Sequence, residues 1–338
     1  MKSPEGIILS CSGYELTNDE ENFFKNLHPL GFVLFKRNIK NKKQILDLTK
    51  HLKSISLNPK VLIFIDQEGG KVQRLSNEEY TIFPPQNIFG KLFLKDEELA
   101  LDLIYKSAYV MGLELKDSNI DVDFAPVCDV HFNYTHNVIG NRSFGSDPKM
   151  VLQLSSKFVA GLQDSGIISV PKHFPGHGRS QKDTHLDEAV VTVGLDQLEK
   201  VDFIPFNILK DNLMVMLAHI IYEKIDKKVA TYSKLIINKL LRKKFNFKGL
   251  VISDDISMKA LKDDMIDIVN KSYAGGCNVI LYCSGILDEM KRIYPSVKRI
   301  DYELFKYFNK EHKNILTKKK NLSKYKNDLE KFEIIKIR

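Results

Sequence analysis

The sequence predicts an α/β protein, a single (β/α)8 TIM barrel with a lysine-rich C-terminal helical tail. Three observations carry this expectation. Eight short apolar runs recur along the 338 residues, each nearly continuous in apolar character, as are strands covered on both faces of a parallel sheet. The segments between them place apolar residues three and four apart, the spacing of helices with one buried face. Strand and helix alternate throughout, the pattern of a closed barrel of parallel strands. A doubly wound open sheet is the alternative, but it wants a GxGxxG turn after the first strand, and none follows it.

In order, the runs are GIILSC (6–11), GFVLF (31–35), VLIFID (61–66), IDVDFAP (120–126), SVPKHF (169–174), LMVMLAH (213–219), GLVISDD (249–255) and CNVILYC (277–283). Helical spacing is plain in NKKQILDLTKHLKSI, DEELALDLIYKSAYVMGLEL, YSKLIINKLLRKKFN and the stretch 259–274. Residues 1–290 are expected to form the barrel. Residues 291–338 are expected to be a basic helical extension, packed on the barrel or trailing from it.

An apolar content of 43% supports a large core and excludes disorder as the main state. The N-terminal stretch has no continuous apolar region with a small-residue cleavage site, and no run is long enough to span a bilayer. A cytoplasmic protein without membrane insertion is therefore expected. Cys11, Cys128, Cys277 and Cys283 are scattered without a CxxC pair and read as small buried hydrophobes in a reducing compartment. The net charge of +8 is concentrated at the end, where residues 286–338 hold 15 Lys and Arg against 8 Asp and Glu. No stacking-aromatic motif or helix-turn-helix pattern accompanies this excess. It reads as the solvated face of a terminal helix, and no nucleic-acid partner is expected.

Functional side chains on such a barrel sit on the loops after the C-terminal ends of the strands. Polar residues cluster there: Asp66 and QEGGKVQR follow the third run, Lys172 and His173 close the fifth, His219 ends the sixth, and Asp254 and Asp255 end the seventh. One such acid could cap the next helix, but four strands ending this way exceed what capping explains. Asp254 and Asp255 point to opposite sides of a strand, so only one easily faces a pocket. The other reading makes one a cap for a helix from Lys259 and the other a solvated charge.

In DTH, Asp183 and His185 lie two apart on one side of an extended segment, within hydrogen-bond reach. The carboxylate would orient the imidazole and favour its protonated form, so the pair can donate a proton near neutral pH. His173 and His177 could hold a metal only from a helix that puts both rings on one face. Pro175, Gly176 and Gly178 argue against that helix, and neither metal nor cofactor is expected. Asp66, Arg74 and Arg142 can hold a polyhydroxylated ligand, since carboxylates accept from hydroxyls and guanidinium groups donate in a rigid fork. Either arginine reads equally well as a structural ion pair under a loop.

Taken together, IDQEGGKVQRL, IGNRSFGSDP, KHFPGHG, DTH and GLVISDDISM resemble, in order and spacing, the family 3 glycoside hydrolases, specifically the bacterial β-N-acetylglucosaminidases (β-hexosaminidases) of peptidoglycan recycling. The resemblance runs from about residue 6 to 283. It implies that Asp254 is the nucleophile, that His185 is the proton donor and acceptor with Asp183 as its partner, and that Asp66, Arg74, Arg142, Lys172 and His173 bind the sugar. The implied activity is a retaining exo-β-N-acetylglucosaminidase acting on N-acetylglucosaminyl 1,6-anhydro-muropeptides. A small carbohydrate is thus the expected partner, and the chain is expected to be a monomer. The proline usual a few residues after the histidine is absent from LDEAVV, where Ala189 stands nearby, which implies a changed anchoring of the loop.

Glycosidases commonly use two carboxyl groups, and here an Asp and His pair would replace the second. Gly176 and Gly178 are expected to leave the loop supple enough to swing His185 over the substrate, with Lys172 and His173 fixed on the strand end. Two other readings stay open. A phosphorylase could use the same residues, because an imidazole, unlike a carboxylate, does not repel incoming phosphate. A muropeptide sensor could keep the pocket without turnover.

Overall fold

The computed structural model describes residues 2–184 and 186–335. Each apolar run contributes a strand: β1 (Glu5–Leu9), β2 (Pro29–Leu34), β3 (Leu62–Ile65), β4 (Val122–Asp123), β5 (Ile168–Ser169), β6 (Met214–Met216), β7 (Leu250–Asp255) and β8 (Val279–Leu281). They pair in the order β5-β4-β3-β2-β1-β8-β7-β6, every pair parallel. The two ends of that order meet. Met216 N donates to Pro171 O (3.1 Å), Phe174 N to Met216 O (2.8 Å) and Ala218 N to Phe174 O (2.8 Å), which closes the barrel. Regular pairing of β5 stops before Pro171, which has no N–H to give, and resumes only as bridges at Lys172 and Phe174.

Around the strands lie α1 (Asn18–Phe24), α2 (Lys42–Ile55), α3 (Asn87–Phe93), α4 (Glu97–Asp117), α5 (Pro148–Ser165), α6 (Leu195–Lys200), α7 (Met265–Gly275) and α8 (Leu287–Ile293), with a π-helical segment Leu235–Lys244 after β6. Asn41, Asp147 and Asp264 cap α2, α5 and α7 by accepting from backbone N–H groups of the first turn. Side chains alternate across each strand. Ile8, Val33, Phe64, Val122, Ile252 and Leu281 fill the barrel interior, while Ile7, Leu9, Phe32, Ile63, Val251 and Ile280 pack outward under the helices.

The C-terminal segment is part of this packing. The division expected at residue 290 falls inside α8. Farther on, α9 (Tyr302–His312) places Phe305 and Phe308 in the interior cluster. Ile300 N donates to Pro4 O and Gly6 N to Lys298 O, so this segment closes the N-terminal end of the barrel. Then α10 (Leu322–Lys331) lies against α4, with Leu329 buried and Asp328 2.7 Å from Lys106. Among the described residues no helix is long and apolar enough to cross a membrane.

One expected helix starts late. The stretch 259–274 is helical only from Met265, because Met258, Ala260 and Leu261 are buried by a loop. Two turns, Met258 N to Asp255 O and Leu261 N to Met258 O, hold that loop over the end of β7. Its apolar residues pack as loop contacts and only mimic helical spacing.

Candidate active site

At the C-terminal end of the barrel a cavity of about 410 Å³ is lined by Asp66, Lys71, Arg74, Arg142, Lys172, His173, Asp254 and Asp255, with apolar walls that include Phe35, Phe124 and Met216. A larger outer groove of about 770 Å³ beside Tyr14, Gln44 and His51 also carries charge, but its Glu15, Lys40, Lys43 and Asp47 are exposed. The sequence-predicted binding residues Asp66, Arg74, Arg142, Lys172 and His173 therefore meet in one place, with Asp254 among them.

The loop after β3 is a hairpin of strands Gln67–Gly69 and Val72–Gln73. Buried glutamine side chains shape it: Gln67 Oε1 accepts from Arg74 N and Leu75 N, and Gln73 Oε1 accepts from Phe83 N. This fixes Asp66, Glu68 and Arg74 relative to one another. Lys172 Nζ lies 2.8 Å from Asp66 Oδ1 and 2.7 Å from Glu68 Oε1. Arg74 Nη2 donates to Asp66 Oδ2 (2.9 Å), and Arg142 grips Glu68 with Nε (2.8 Å) and Nη2 (2.7 Å). Burial alone would push both carboxyls up. Instead Lys172 and Arg74 hold Asp66 well below the carboxylate range, and Arg142 and Lys172 hold Glu68 at about 2. Beneath them, burial raises Asp123 well above its ordinary value. Its Oδ1 accepts from Gln67 N, 2.9 Å away.

The network leaves capacity for a polar ligand. Arg74 Nε is buried with no hydrogen-bond partner among the described residues, and the guanidinium lies 5.2 Å from the Phe35 ring centroid. Such a donor fits a hydroxyl or carbonyl oxygen of a ligand, which would remove the cost of its isolation.

Past β5 the chain runs buried from Val170 to His177, and the Lys172–His173, Phe174–Pro175 and Ala125–Pro126 peptide bonds are cis. His173 Nδ1 lies 2.7 Å from Asp129 Oδ2, while the other carboxylate oxygen accepts from His173 N (3.2 Å) and His177 N (2.6 Å). The glycines here do not make a supple hinge. Gly176 has a positive φ of 132° and its carbonyl accepts from Tyr222 Oη (2.7 Å), and a Cβ on Gly178 would stand 1.7 Å from Val130 O. Both serve close packing, and exposed side chains begin only beyond Ser180, at Gln181 and Lys182.

Asp254 and Asp255 both line the cavity. Asp255 Oδ1 accepts from Ser257 N and Cys283 N (both 3.1 Å), and Oδ2 accepts from Ser257 Oγ (2.6 Å). Asp254 Oδ1 accepts from Asp255 N (2.8 Å). His219 is turned away from the cavity: Nδ1 meets Thr231 Oγ1 (2.7 Å), Nε2 meets Asp255 O (3.1 Å), and burial lowers its pKa. It steadies the backbone at the end of β7.

Asp183 heads a turn, its carbonyl accepting from Leu186 N and Asp187 N, and it is one of the carboxylates acting on the Lys71 ammonium. His185 lies outside the described residues. Among the described residues no group of three His, Cys, Asp or Glu side chains could hold a metal. Sequence reasoning does not single out Glu68 or Asp129. Glu68 stands two residues after Asp66 and shares Lys172 with it, whereas Asp129 is 44 residues from His173 and only the fold joins them.

A barrel with a charged, partly apolar pocket at the C-terminal ends of its strands has the arrangement of a (β/α)8 enzyme. The sequence matches the glycosyl hydrolase family 3 N terminal domain over residues 5–316, and the chain belongs to that family. It is 37% identical over 281 residues to a β-hexosaminidase of Stenotrophomonas maltophilia (strain K279a), covering 82% of this chain and 83% of the relative. It is 32% identical over 309 residues to a β-hexosaminidase of Bordetella avium (strain 197N), covering 88% and 87%. Its structure is similar to that of NagZ from Neisseria gonorrhoeae in complex with N-trifluoroacetyl-D-glucosamine, with a TM-score of 0.84 and 29% identity over 97% of this chain and 94% of that one.

Proposed function

We propose that the chain is a retaining exo-β-N-acetylglucosaminidase that releases terminal N-acetylglucosamine from N-acetylglucosaminyl 1,6-anhydro-muropeptides as a cytoplasmic monomer. The observation that carries this reading is the convergence of Asp66, Arg74, Arg142, Lys172, His173 and Asp254 on one 410 Å³ cavity. The complex of the structurally similar NagZ with N-trifluoroacetyl-D-glucosamine supports the choice of sugar.

Asp254 is the nucleophile in this reading, and Asp255, whose two oxygens anchor Ser257 and Cys283, holds the turn that follows β7. A carboxylate oxygen of Asp254 bonds to C1 as the C1–O bond breaks, and protonated His185 gives its proton to the departing oxygen. Water then attacks C1, yielding a proton to neutral His185 and freeing Asp254. Two inversions leave the configuration retained. Asp183 favours the protonated imidazole, while the buried cations and carboxylates bind the hydroxyls of the sugar.

The test compares a chromogenic N-acetyl-β-glucosaminide with the matching β-glucoside, with and without phosphate. Faster cleavage of the N-acetyl sugar to free N-acetylglucosamine in both buffers is the expected result. Preference for the glucoside, or a sugar 1-phosphate product, would contradict it.

A further inference from the structure

Thr184 is 1% exposed, although Leu186 two residues on is 67% exposed. Two hydrogen bonds hold it from opposite sides: its Oγ1 lies 3.1 Å from His177 Nε2, and its carbonyl accepts from Ala260 N at 3.1 Å.

Both partners are themselves fixed. His177 N donates to Asp129 Oδ1, and the His177 ring lies edge-on to His173 with centroids 5.4 Å apart. Burial, then the His173 charge, lowers the His177 pKa to about 4, so the ring is neutral near pH 7. Its Nδ1 is buried without a hydrogen-bond partner among the described residues. An unpaired acceptor there costs less than an unpaired N–H, so the ring proton belongs on Nε2, donated to Thr184. Ala260 sits in the buried loop that follows β7 and begins with the Asp255–Ser257 anchor.

We propose that Thr184 is a positioning residue that latches the proton-transfer loop to the two elements carrying the sugar-binding and nucleophilic groups. Thr184 is covalently flanked by Asp183 and His185, so its two bonds set where that pair can stand relative to Lys172, His173 and Asp254. This inference rests on the proposed retaining mechanism with Asp183 and His185 as the proton-transfer pair.

The experiment measures kcat/KM, which reports the first, glycosylation step, for wild type, Thr184→Val and Thr184→Ser on two substrates. One is 2,4-dinitrophenyl N-acetyl-β-glucosaminide, whose leaving group departs without a proton. The other is an alkyl N-acetyl-β-glucosaminide, whose leaving group needs one. Mispositioned general acid catalysis should lower kcat/KM of Thr184→Val about 10- to 100-fold on the alkyl substrate and less than about 3-fold on the dinitrophenyl one, with Thr184→Ser restoring the alkyl rate to within about 3-fold. Equal losses on both substrates, or no recovery with serine, would reduce Thr184 to a packing residue and overturn the inference while the mechanism stands. A wild-type enzyme that cleaves neither glycoside would overturn the functional reading, and the inference with it.

Discussion

Glu68→Gln removes one negative charge from a buried cluster and changes little else in shape. Glu68 is nearly inaccessible, and Lys172 and Arg142 share its two oxygens at 2.7 to 2.8 Å. A folded-state value of about 2 against an ordinary 4.5 corresponds to about 3 kcal/mol, at about 1.36 kcal/mol per pH unit. Breaking one side of a buried ion pair costs about 3–5 kcal/mol in general, which agrees. The sign follows from the lowered value: Glu68 contributes its full stabilisation above about pH 4.5 and loses it as pH falls through about 2. Urea denaturation at pH 7 should therefore show Glu68→Gln less stable by about 3 kcal/mol, and at pH 3.5 that gap should narrow by about 1 kcal/mol. Turnover at pH 7 should show a raised KM, since Lys172 and Arg142 lose their shared anchor. A gap below about 1 kcal/mol at pH 7, or one that stays constant with pH, would refute the reasoning about the network.

Other expectations are simpler to check. Gly178→Ala forces a methyl group against the Val130 carbonyl and should cost about 1–3 kcal/mol in denaturant unfolding. Asp129→Asn weakens the charge-assisted contact to His173 and should destabilise by about 1.5–3 kcal/mol, with a loss of substrate affinity visible in KM. Removing residues 319–338 takes away buried Leu329 and the Asp328–Lys106 pair, so thermal melting should come at lower temperature while kcat/KM at 25 °C stays near wild type.

The eight strands were legible because β1 to β8 are covered on both faces, so runs such as VLIFID and GLVISDD stay apolar almost throughout. The cavity's charged residues were legible for a related reason. Asp66, Lys172 and Asp254 interrupt those runs at their C-terminal ends, where the barrel opens. Contacts distant in sequence were not legible: nothing in the string joins Asp129 to His173 or Thr184 to Ala260. Glycine proved ambiguous, because the same residue type serves a hinge or a close approach, and Gly178 is the second. The loop 256–264 misled through apolar residues three apart that pack without a helix.

The retaining mechanism turns on a bond between one carboxylate and the sugar. Inactivation with a fluorinated N-acetylglucosaminyl compound that reacts quickly and hydrolyses slowly, followed by peptide mass spectrometry, should locate the glycosyl group on Asp254. Labelling of Asp255 or of any other side chain, or inactivation without a covalent mass increase, would contradict it.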